Sequence, residues 1–349
     1  MIEYQSIRHA HVELTTKCQA QCPRCSRNIT GWIEHPLLPQ HDMSLEQFQS
    51  IFTREFLLQL NHMIFCGNLG DAALSKDFLP IAEYVISVNP NIYLRLSTNG
   101  SVRTTDWWQR LAQATSGKLE VWFALDGLED THSIYRRNTD WNKIINNAKA
   151  YIQAGGPAVW QMIPFEHNQH QISDCMKLSQ TLGFKSFKVP HHVNANVPSL
   201  YDNGQVVWIR ESKFKQSNNV PFPDRHITFD LVNSFVQESI EKFTLDMDPP
   251  EEIKTDKLNI WKTHGSSGLN CQTKKDSSIY IAANGEVYPC CYTGAFPRQM
   301  PGLPQIKQLL HDTNNNALEV GLPSAVTWLV QVEEAWKTTA LEPCVNNCL

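Results

Sequence analysis

The chain has 349 residues, of which 42% are hydrophobic and 19% are charged, and its formal net charge is −5. This length is sufficient for one large hydrophobic core and a smaller second unit. The 30 basic residues are outnumbered by 35 acidic ones and form no concentrated stripe, which argues against a nucleic-acid partner. We find no signal peptide and no apolar run long enough to span a bilayer, so we expect a cytoplasmic protein that does not act on membranes.

Short β-rich runs alternate with helical patterns in the first half of the chain. Several of the runs are almost entirely apolar, as in strands that are buried on both faces. The six predicted strands are residues 9–15, 62–67, 92–98, 119–125, 158–163 and 186–190. Six consecutive βα units predict a parallel α/β sheet, because right-handed crossovers place the strands side by side. Periodicity leaves open whether this sheet is doubly wound or an incomplete barrel.

The helices predicted between these strands have recognisable end signals. Ser44 and Gln47 predict a capping box at the start of one long helix over residues 45–60. Thr105 or Asp106 would cap the next helix. Two more helices that end at glycines are predicted over residues 141–154 and 171–182.

The pattern changes after the sixth βα unit. The segment that follows is rich in Asn, Pro, Asp and Ser, and we predict an ordered connector, because an unstructured loop of this length would be unusual. It contains one amphipathic helix pattern, carried by Phe229, Leu231, Val232, Phe235, Val236, Ile240 and Phe243. The last segment holds five of the ten cysteines and predicts a metal-binding module. The predicted domains are therefore residues 1–193, 194–265 and 266–349.

Seven of the ten cysteines fall into two groups with spacings typical of metal ligands, and in a cytosolic chain metal ligation is more common than disulfide formation. Cys18, Cys22 and Cys25 form the first group, directly after the first predicted strand. Three thiolates can bind three irons of a [4Fe–4S] cube and leave the fourth iron open to another ligand. A zinc or redox site is the alternative, although zinc usually takes four ligands or paired CxxC units.

The first cysteine group matches the CxxxCxxC motif of the radical S-adenosylmethionine (SAM) enzymes, and the chain resembles that family in three further motifs. These are the CGNLGD run after the second strand, the STNG run after the third, and the ALDG run after the fourth with its following YRR. The subgroup that it resembles includes the anaerobic sulfatase-maturing enzymes. The chain departs from the family at Asp71, Ala72 and Ala124, where Glu, Pro and Ser are usual, and at Arg24.

The resemblance implies a partial (βα)6 TIM-like barrel with its active site at the carboxyl ends of the strands. It also implies that SAM binds the open iron of the cluster and is cleaved reductively to a 5′-deoxyadenosyl radical, which abstracts a hydrogen atom from the substrate. A flavodoxin- or ferredoxin-type protein would donate the electron. The residues that the matching motifs place near SAM are Gly70, Asp71, Ser97, Asn99 and Arg136.

The C-terminal segment resembles the SPASM and twitch domains of the same superfamily. Cys271, Gly285 and Cys290 have the spacing of their central motif, and Cys344 and Cys348 add two thiolates. The resemblance implies that the four cysteines bind one auxiliary [4Fe–4S] cluster, and the lack of cysteines between 291 and 344 favours the single-cluster twitch type. Structural zinc on the same thiolates is the alternative. The neighbouring Cys291 could be a substitute ligand, a catalytic thiol or a buried cysteine.

The leading functional hypothesis is a radical SAM enzyme that modifies a peptide or protein side chain. The segment before Arg8 is too short for a leader-peptide docking domain, which argues against a ribosomal-peptide substrate. Oxidation or epimerisation of a small molecule such as an aminosugar is the second hypothesis, and a zinc-stabilised binding protein without catalysis is the third. We assign no catalytic residue; the candidates for proton handling or a catalytic thiol are Asp126, His191, His192 and Cys291.

Overall fold

The computed structural model describes residues 3–29, 33–34, 38, 40–189, 197–200, 206–209, 271–294 and 314–330. The predicted amphipathic helix of the connector lies outside these residues. The predicted site residues His191, His192, Cys344 and Cys348 also lie outside them.

All six predicted strands are present, each slightly shorter than expected. The strands are β1 (His9–Val12), β2 (Asn28–Ile29), β3 (Ile33–Glu34), β4 (His62–Phe65), β5 (Tyr93–Thr98), β6 (Leu119–Ala124), β7 (Ala158–Gln161), β8 (Ser186–Lys188), β9 (Val197–Leu200), β10 (Val206–Ile209), β11 (Ser278–Ile281) and β12 (Val287–Tyr288). The α-helices are α1 (Leu45–Ile51), α2 (Arg54–Gln59), α3 (Phe78–Val88), α4 (Thr105–Ala114), α5 (Glu129–Tyr135), α6 (Trp141–Gln153), α7 (Ile172–Thr181), α8 (Gln272–Lys275), α9 (Ala317–Val320) and α10 (Leu322–Ala325). Short 3₁₀ helices span Tyr4–Ser6, Ala72–Leu74 and Gln169–Gln171. Among the helices described, none is long and apolar enough to cross a membrane.

The strand order decides between the two sheet types that periodicity left open. Strands β1, β4, β5, β6, β7 and β8 are parallel, and each strand after β1 pairs with the strand of the preceding βα unit. A doubly wound sheet reverses its order at a switch point, whereas an uninterrupted order is that of a barrel. In the described part of the chain β8 does not pair back to the start of the sheet, so the barrel is partial, as expected.

The C-terminal segment adds two strands to the same sheet. Strand β11 pairs in parallel with the free edge of β1, with Ala10 opposite Ile279, and β12 pairs antiparallel with β11. The edge that the first strand would otherwise expose is therefore covered.

The domain boundaries given in the sequence analysis stay a prediction.

Two of the helix predictions were wrong in detail. The long helix over residues 45–60 is two helices, α1 and α2, because the Oγ1 of Thr53 accepts a hydrogen bond from the backbone N–H of Phe56 at 3.3 Å and starts a new helix. The predicted capping box of Ser44 and Gln47 is present. Helix α4 is capped by Thr104, one residue before the expected position.

Side chains alternate between two environments along the barrel strands. In β1, β4 and β5, one set is buried in the core between the strands and the helices, and it includes Val12, Phe65 and Leu96. Because successive side chains point to opposite faces of a strand, the other set faces the barrel interior. The interior set of these strands is largely polar: His9, His11, His62, Tyr93, Arg95 and Ser97 are members.

Candidate active site

The first cysteine group lies in the loop after β1, at the carboxyl ends of the barrel strands. Cys18, Cys22 and Cys25 line one cavity of about 290 Å³, close to the lower end of the ~300–1,000 Å³ that is usual for small-molecule sites. The same cavity is lined by every residue that was predicted to lie near SAM, namely Gly70, Asp71, Ser97, Asn99 and Arg136. The structure thus brings together three predicted ligands and five predicted contact residues. The two that are farthest apart in the sequence, Cys18 and Arg136, are separated by 118 positions.

The cysteine loop is held in place by hydrogen bonds to neighbouring segments. The backbone N–H of Gln21 donates to the carbonyl of Arg137 at 2.9 Å, and the side-chain amide of Asn138 donates to the carbonyl of Gln19 at 2.6 Å. On the other side, Arg27 is buried and donates to the carbonyls of Thr16 and Leu69. Hydrogen bonds within the protein therefore fix the conformation of the cysteine loop.

Two N–H donors point at the predicted ligand sulfurs. The Nδ2 of Asn99 lies 3.8 Å from Sγ of Cys18, and the Nη1 of Arg136 lies 3.9 Å from Sγ of Cys22. Hydrogen bonds to the sulfurs stabilise the negative charge of an iron–sulfur cluster and adjust its reduction potential. Both donors belong to motifs that were identified from the sequence.

Burial raises the pKa of each of the three thiols. The pKa of Cys25 is raised to about 11, first by burial and then by the charge of Cys22, whereas Arg136 lowers the pKa of Cys22 against the effect of burial. Metal binding requires the thiolates, so loading of this site with iron would release protons.

Three free thiols with N–H donors around one cavity match the donor set of a three-cysteine [4Fe–4S] site. Among the residues that the structure describes, no three His, Cys, Asp or Glu side chains are arranged around a single metal ion. Each thiolate of a cluster binds a different iron, so a cluster does not need that arrangement.

Asp71 connects the ends of two barrel strands instead of projecting into the cavity as a free acid. Its Oδ2 accepts hydrogen bonds from Oγ1 of Thr98 at 2.9 Å and from the backbone N–H of Asn99 at 2.8 Å, and its Oδ1 accepts from the N–H of Ala73 at 3.1 Å. Burial raises the pKa of Asp71, and these donors oppose that effect. The side chain therefore fixes the position of Asn99 in the cavity wall.

Gly70 is in tight contact with the loop after β1. A Cβ at this position would lie 1.8 Å from the carbonyl oxygen of Thr15, so no larger residue fits without movement of the backbone. The backbone of Gly70 lines the cavity next to the cysteines. This is the part of the motif that the family resemblance assigns to SAM binding.

Asp126, a candidate catalytic residue, is fully buried and does not line the cavity. Its Oδ2 accepts from Nε of Arg136 at 2.5 Å and its Oδ1 from the N–H of Ile163 at 2.6 Å. The backbone N–H of Asp126 donates to Nδ1 of His132, whose Nε2 faces Oγ1 of Thr139 at 3.0 Å. Burial lowers the pKa of His132 to about 3, so this imidazole is neutral. The structure places Asp126 as a positioning residue for Arg136.

Sequence reasoning missed two residues next to the cysteine loop. Cys66 follows β4 and lines the cavity, although the sequence left it outside both cysteine groups. Glu13 is buried, and its Oε1 accepts from the N–H groups of Leu69 and Gly70 at 2.6 and 3.0 Å. The available signal for Glu13 was an acidic residue inside an apolar strand run.

The described half of the second cysteine group lies at the C-terminal strands. Cys271 precedes α8, and Cys290 comes two residues after β12. Burial raises the pKa of Cys290, and the charge of Cys271 adds to this effect. The carbonyl of Cys291 accepts a hydrogen bond from Nδ2 of Asn68 at 2.8 Å, so this segment contacts the loop that follows β4.

Comparison with known proteins identifies similar structures but no similar sequences. No protein-family profile matches the chain, and no curated protein sequence matches it. The fold is similar to that of SuiB from Streptococcus suis, with 13% identity and a TM-score of 0.51 over 95% of this chain and 66% of SuiB. SuiB bound to S-adenosylmethionine gives a TM-score of 0.53 over 98% of this chain and 68% of SuiB, again at 13% identity. SuiB bound to the precursor peptide SuiA gives 0.54 over 98% and 66%, also at 13% identity.

At this identity the comparison shows the fold alone. It confirms the fold that the resemblance to radical SAM enzymes implies, an α/β protein with a partial TIM-like barrel. The chain spans about two thirds of the length of SuiB, with 66% covered in two of the three structures.

Proposed function

We propose that the protein is a radical SAM enzyme. The observation that supports this most directly is the shared cavity, in which three cysteines of a CxxxCxxC motif and five residues of three other motifs meet at the carboxyl ends of a partial barrel. In such barrels this end of the strands carries the active site. The similarity of the fold to SuiB, which has been solved with S-adenosylmethionine, supports the same proposal.

In this proposal Cys18, Cys22 and Cys25 hold a [4Fe–4S] cluster. The chemistry that the cluster would supply is the reductive cleavage of SAM to methionine and a 5′-deoxyadenosyl radical, which removes a hydrogen atom from the substrate. Asn99 and Arg136 donate hydrogen bonds to the ligating sulfurs.

The substrate proposed is a peptide or protein side chain. The similarity of the fold to SuiB bound to the precursor peptide SuiA supports this choice. Oxidation or epimerisation of a small molecule such as an aminosugar is the alternative outcome of a substrate screen. A flavodoxin- or ferredoxin-type donor would supply the electron, and replacing dithionite with such a protein in the SAM cleavage assay tests this.

The test of the proposal is anaerobic purification, iron and sulfide analysis, and an assay of 5′-deoxyadenosine after addition of SAM and dithionite. We expect cleavage by the wild type and its complete loss in a Cys18→Ala, Cys22→Ala, Cys25→Ala triple variant. Cys175→Ala is the matched control, because Cys175 is buried in α7 away from the cavity and its removal should leave cleavage intact. Zinc in place of iron would support the binding-protein hypothesis, and cleavage by the triple variant would refute the site.

We further propose that Cys271 and Cys290, with Cys344 and Cys348, hold one auxiliary [4Fe–4S] cluster that assists electron transfer. The resemblance of the segment from Cys271 to Cys290 to the central motif of twitch domains supports this pairing. A Cys271→Ala, Cys290→Ala variant should lose the iron of one cluster while the triple variant described above loses the iron of the other. Equal iron contents of this double variant and the wild type would contradict the second site.

A further inference from the structure

Arg95 is a cation in the interior of the barrel. It lies in the middle of β5, where Leu94 and Leu96 are buried in the hydrophobic core and the alternate residues face inward. Its guanidinium carbon lies 4.5 Å from the centre of the Trp122 ring, which belongs to the neighbouring strand β6. This stacking orients the guanidinium group and uses none of its N–H donors.

The charge of Arg95 has no anionic partner among the residues that the structure describes. Its Nε is a buried donor without a hydrogen-bond partner there. The acid on the adjacent strand, Glu120, instead accepts from Lys185 at 2.6 Å, from Tyr93 at 2.5 Å and from Trp122 at 2.7 Å. A partly buried cation without an anion is costly to the folded state, which favours a role in binding over a role in stability.

Arg95 lies directly below the cavity that the cysteines line. Ser97, two residues further along the same face of β5, lines that cavity, and two residues of a strand span about 7 Å. Cys66, which follows the adjacent strand β4, also lines the cavity. Burial raises the pKa of its thiol, and the positive charge of Arg95 opposes this effect. The guanidinium is therefore within electrostatic reach of the cavity wall.

His11 is a further basic side chain close to Arg95. Its Nε2 lies 2.6 Å from the carbonyl oxygen of Cys66, so this nitrogen carries the proton and donates it. Burial, with a further contribution from Arg95, lowers the pKa of His11 to about 4. His11 is therefore neutral near pH 7 and adds no positive charge beside Arg95.

We propose that the barrel interior below the cavity binds an anionic group of the substrate, a carboxylate or a phosphate, at Arg95. The assignment of this anionic group to a substrate rests on the proposed function, whereas the existence of the anion site does not. The Nε–H and one Nη–H of a guanidinium form a fork that matches two oxygens of a carboxylate or phosphate. The bound group would fix the substrate so that its reacting carbon faces the cavity.

The test is anion-dependent thermal unfolding of the anaerobically reconstituted full chain at pH 7.5 and constant ionic strength. Sodium acetate and sodium phosphate are each titrated against sodium chloride. At least one of them should raise the Tm of the wild type in a saturable way, and the anion that does so distinguishes a carboxylate site from a phosphate site. Arg95→Gln should weaken the apparent affinity about tenfold or more, because it removes a charged hydrogen-bond donor.

Arg110→Gln is the matched control, since Arg110 is exposed on α4 and its removal should leave the wild-type anion response intact. Arg95→Lys keeps the charge without the fork and should bind the anion several-fold more weakly than the wild type. This variant retains a test of the proposal if Arg95→Gln does not fold. The absence of a response in the wild type, or an equal response in wild type and Arg95 variants, overturns the proposal.

SAM carries a carboxylate of its own, so its binding to Arg95→Gln is measured by equilibrium dialysis. A loss of SAM affinity in the same proportion as the loss of acetate affinity would assign Arg95 to SAM and overturn the substrate site. None of these measurements requires SAM cleavage. An anion response that depends on Arg95 in a protein that does not cleave SAM would therefore refute the proposed function but not the anion site.

Discussion

Buried ionisable side chains near the cavity are held in one protonation state by their neighbours. His132 is an example, because its Nδ1 accepts from the backbone of Asp126 and burial lowers its pKa to about 3. An unfolded chain has an ordinary histidine pKa of about 6.5. Between these two values the unfolded state binds one more proton than the folded state, so the free energy of unfolding decreases as the pH decreases.

We predict that His132 contributes about 2 kcal/mol to the loss of stability between pH 7.5 and pH 5. The interval from the unfolded pKa of about 6.5 down to pH 5 is about 1.5 units, and each unit corresponds to about 1.4 kcal/mol. His132→Asn keeps an acceptor for the Asp126 N–H but does not titrate, so its stability should fall less over this range. Urea unfolding at the two pH values measures the difference. His170→Gln, at an exposed position, should show the wild-type pH dependence. The same dependence in His132→Asn would contradict the assignment.

At the scale of single residues, sequence reasoning found the cysteines and the SAM-contact candidates but not Arg95, Cys66 or Glu13. The first set is recognisable because its spacing along the chain is itself the signal. The second set depends on which face of a strand points into the barrel and which strands are neighbours. An arginine in the otherwise mainly apolar β5 was visible in the sequence, but its unpartnered Nε was not.

At the scale of elements, the loops after the strands position the site, and their packing depends on close backbone contact. Gly70→Ala should shift the loop after β4 away from Thr15, because the added Cβ would overlap the Thr15 carbonyl. We expect destabilisation of about 1–3 kcal/mol, as for other overpacked sites, together with reduced iron loading. Thermal unfolding and iron analysis measure both effects.

Gly155→Ala is the control for this substitution. Gly155 has φ +89°, and a Cβ there would meet nothing within 4 Å, so this variant tests backbone strain without a steric clash. It should cost about 1–2 kcal/mol and leave the iron content unchanged. If both alanine variants retained full iron loading, the close contact of Gly70 would not be needed for the site.

The helices show what local signals can and cannot predict. The capping box at Ser44 was identified correctly, whereas the break between α1 and α2 was not. Thr53 reads as an ordinary residue in an amphipathic pattern, and it acts as a cap because the chain turns there to bury Phe48, Phe52 and Phe56 in one core. Tertiary packing thus overrides the local preference for one long helix.

At the scale of the whole molecule, buried hydrogen bonds join the barrel to the C-terminal strands. The hydroxyl of Tyr280 in β11 donates to Oε2 of Glu13 at 2.7 Å, and both residues are buried. Glu13 also accepts from the loop that carries Gly70, so one carboxylate joins the barrel, this loop and the C-terminal segment.

Tyr280→Phe should lower the free energy of unfolding by about 1–3 kcal/mol, since it removes a hydrogen bond from a buried carboxylate. Tyr288→Phe is the matched control. Its hydroxyl donates to Glu286, which is only half-buried, so water can replace the lost donor and the effect should be smaller. Urea unfolding of the two variants checks this, and an equal loss in both would contradict a special role for the Glu13 contact.

The sequence by itself determined the alternation of strands and helices, the cysteine motif and the SAM-contact candidates, because these are properties of neighbours and spacings along the chain. The resemblance of the motifs implied the partial barrel, which periodicity alone left open. Only the tertiary structure decided that β11 covers the edge of β1 and that Arg95 points into the interior. The physical reason is that hydrophobic periodicity reports which face of an element is buried. It does not report which strand lies next to it, and that pairing sets the surroundings of every interior side chain.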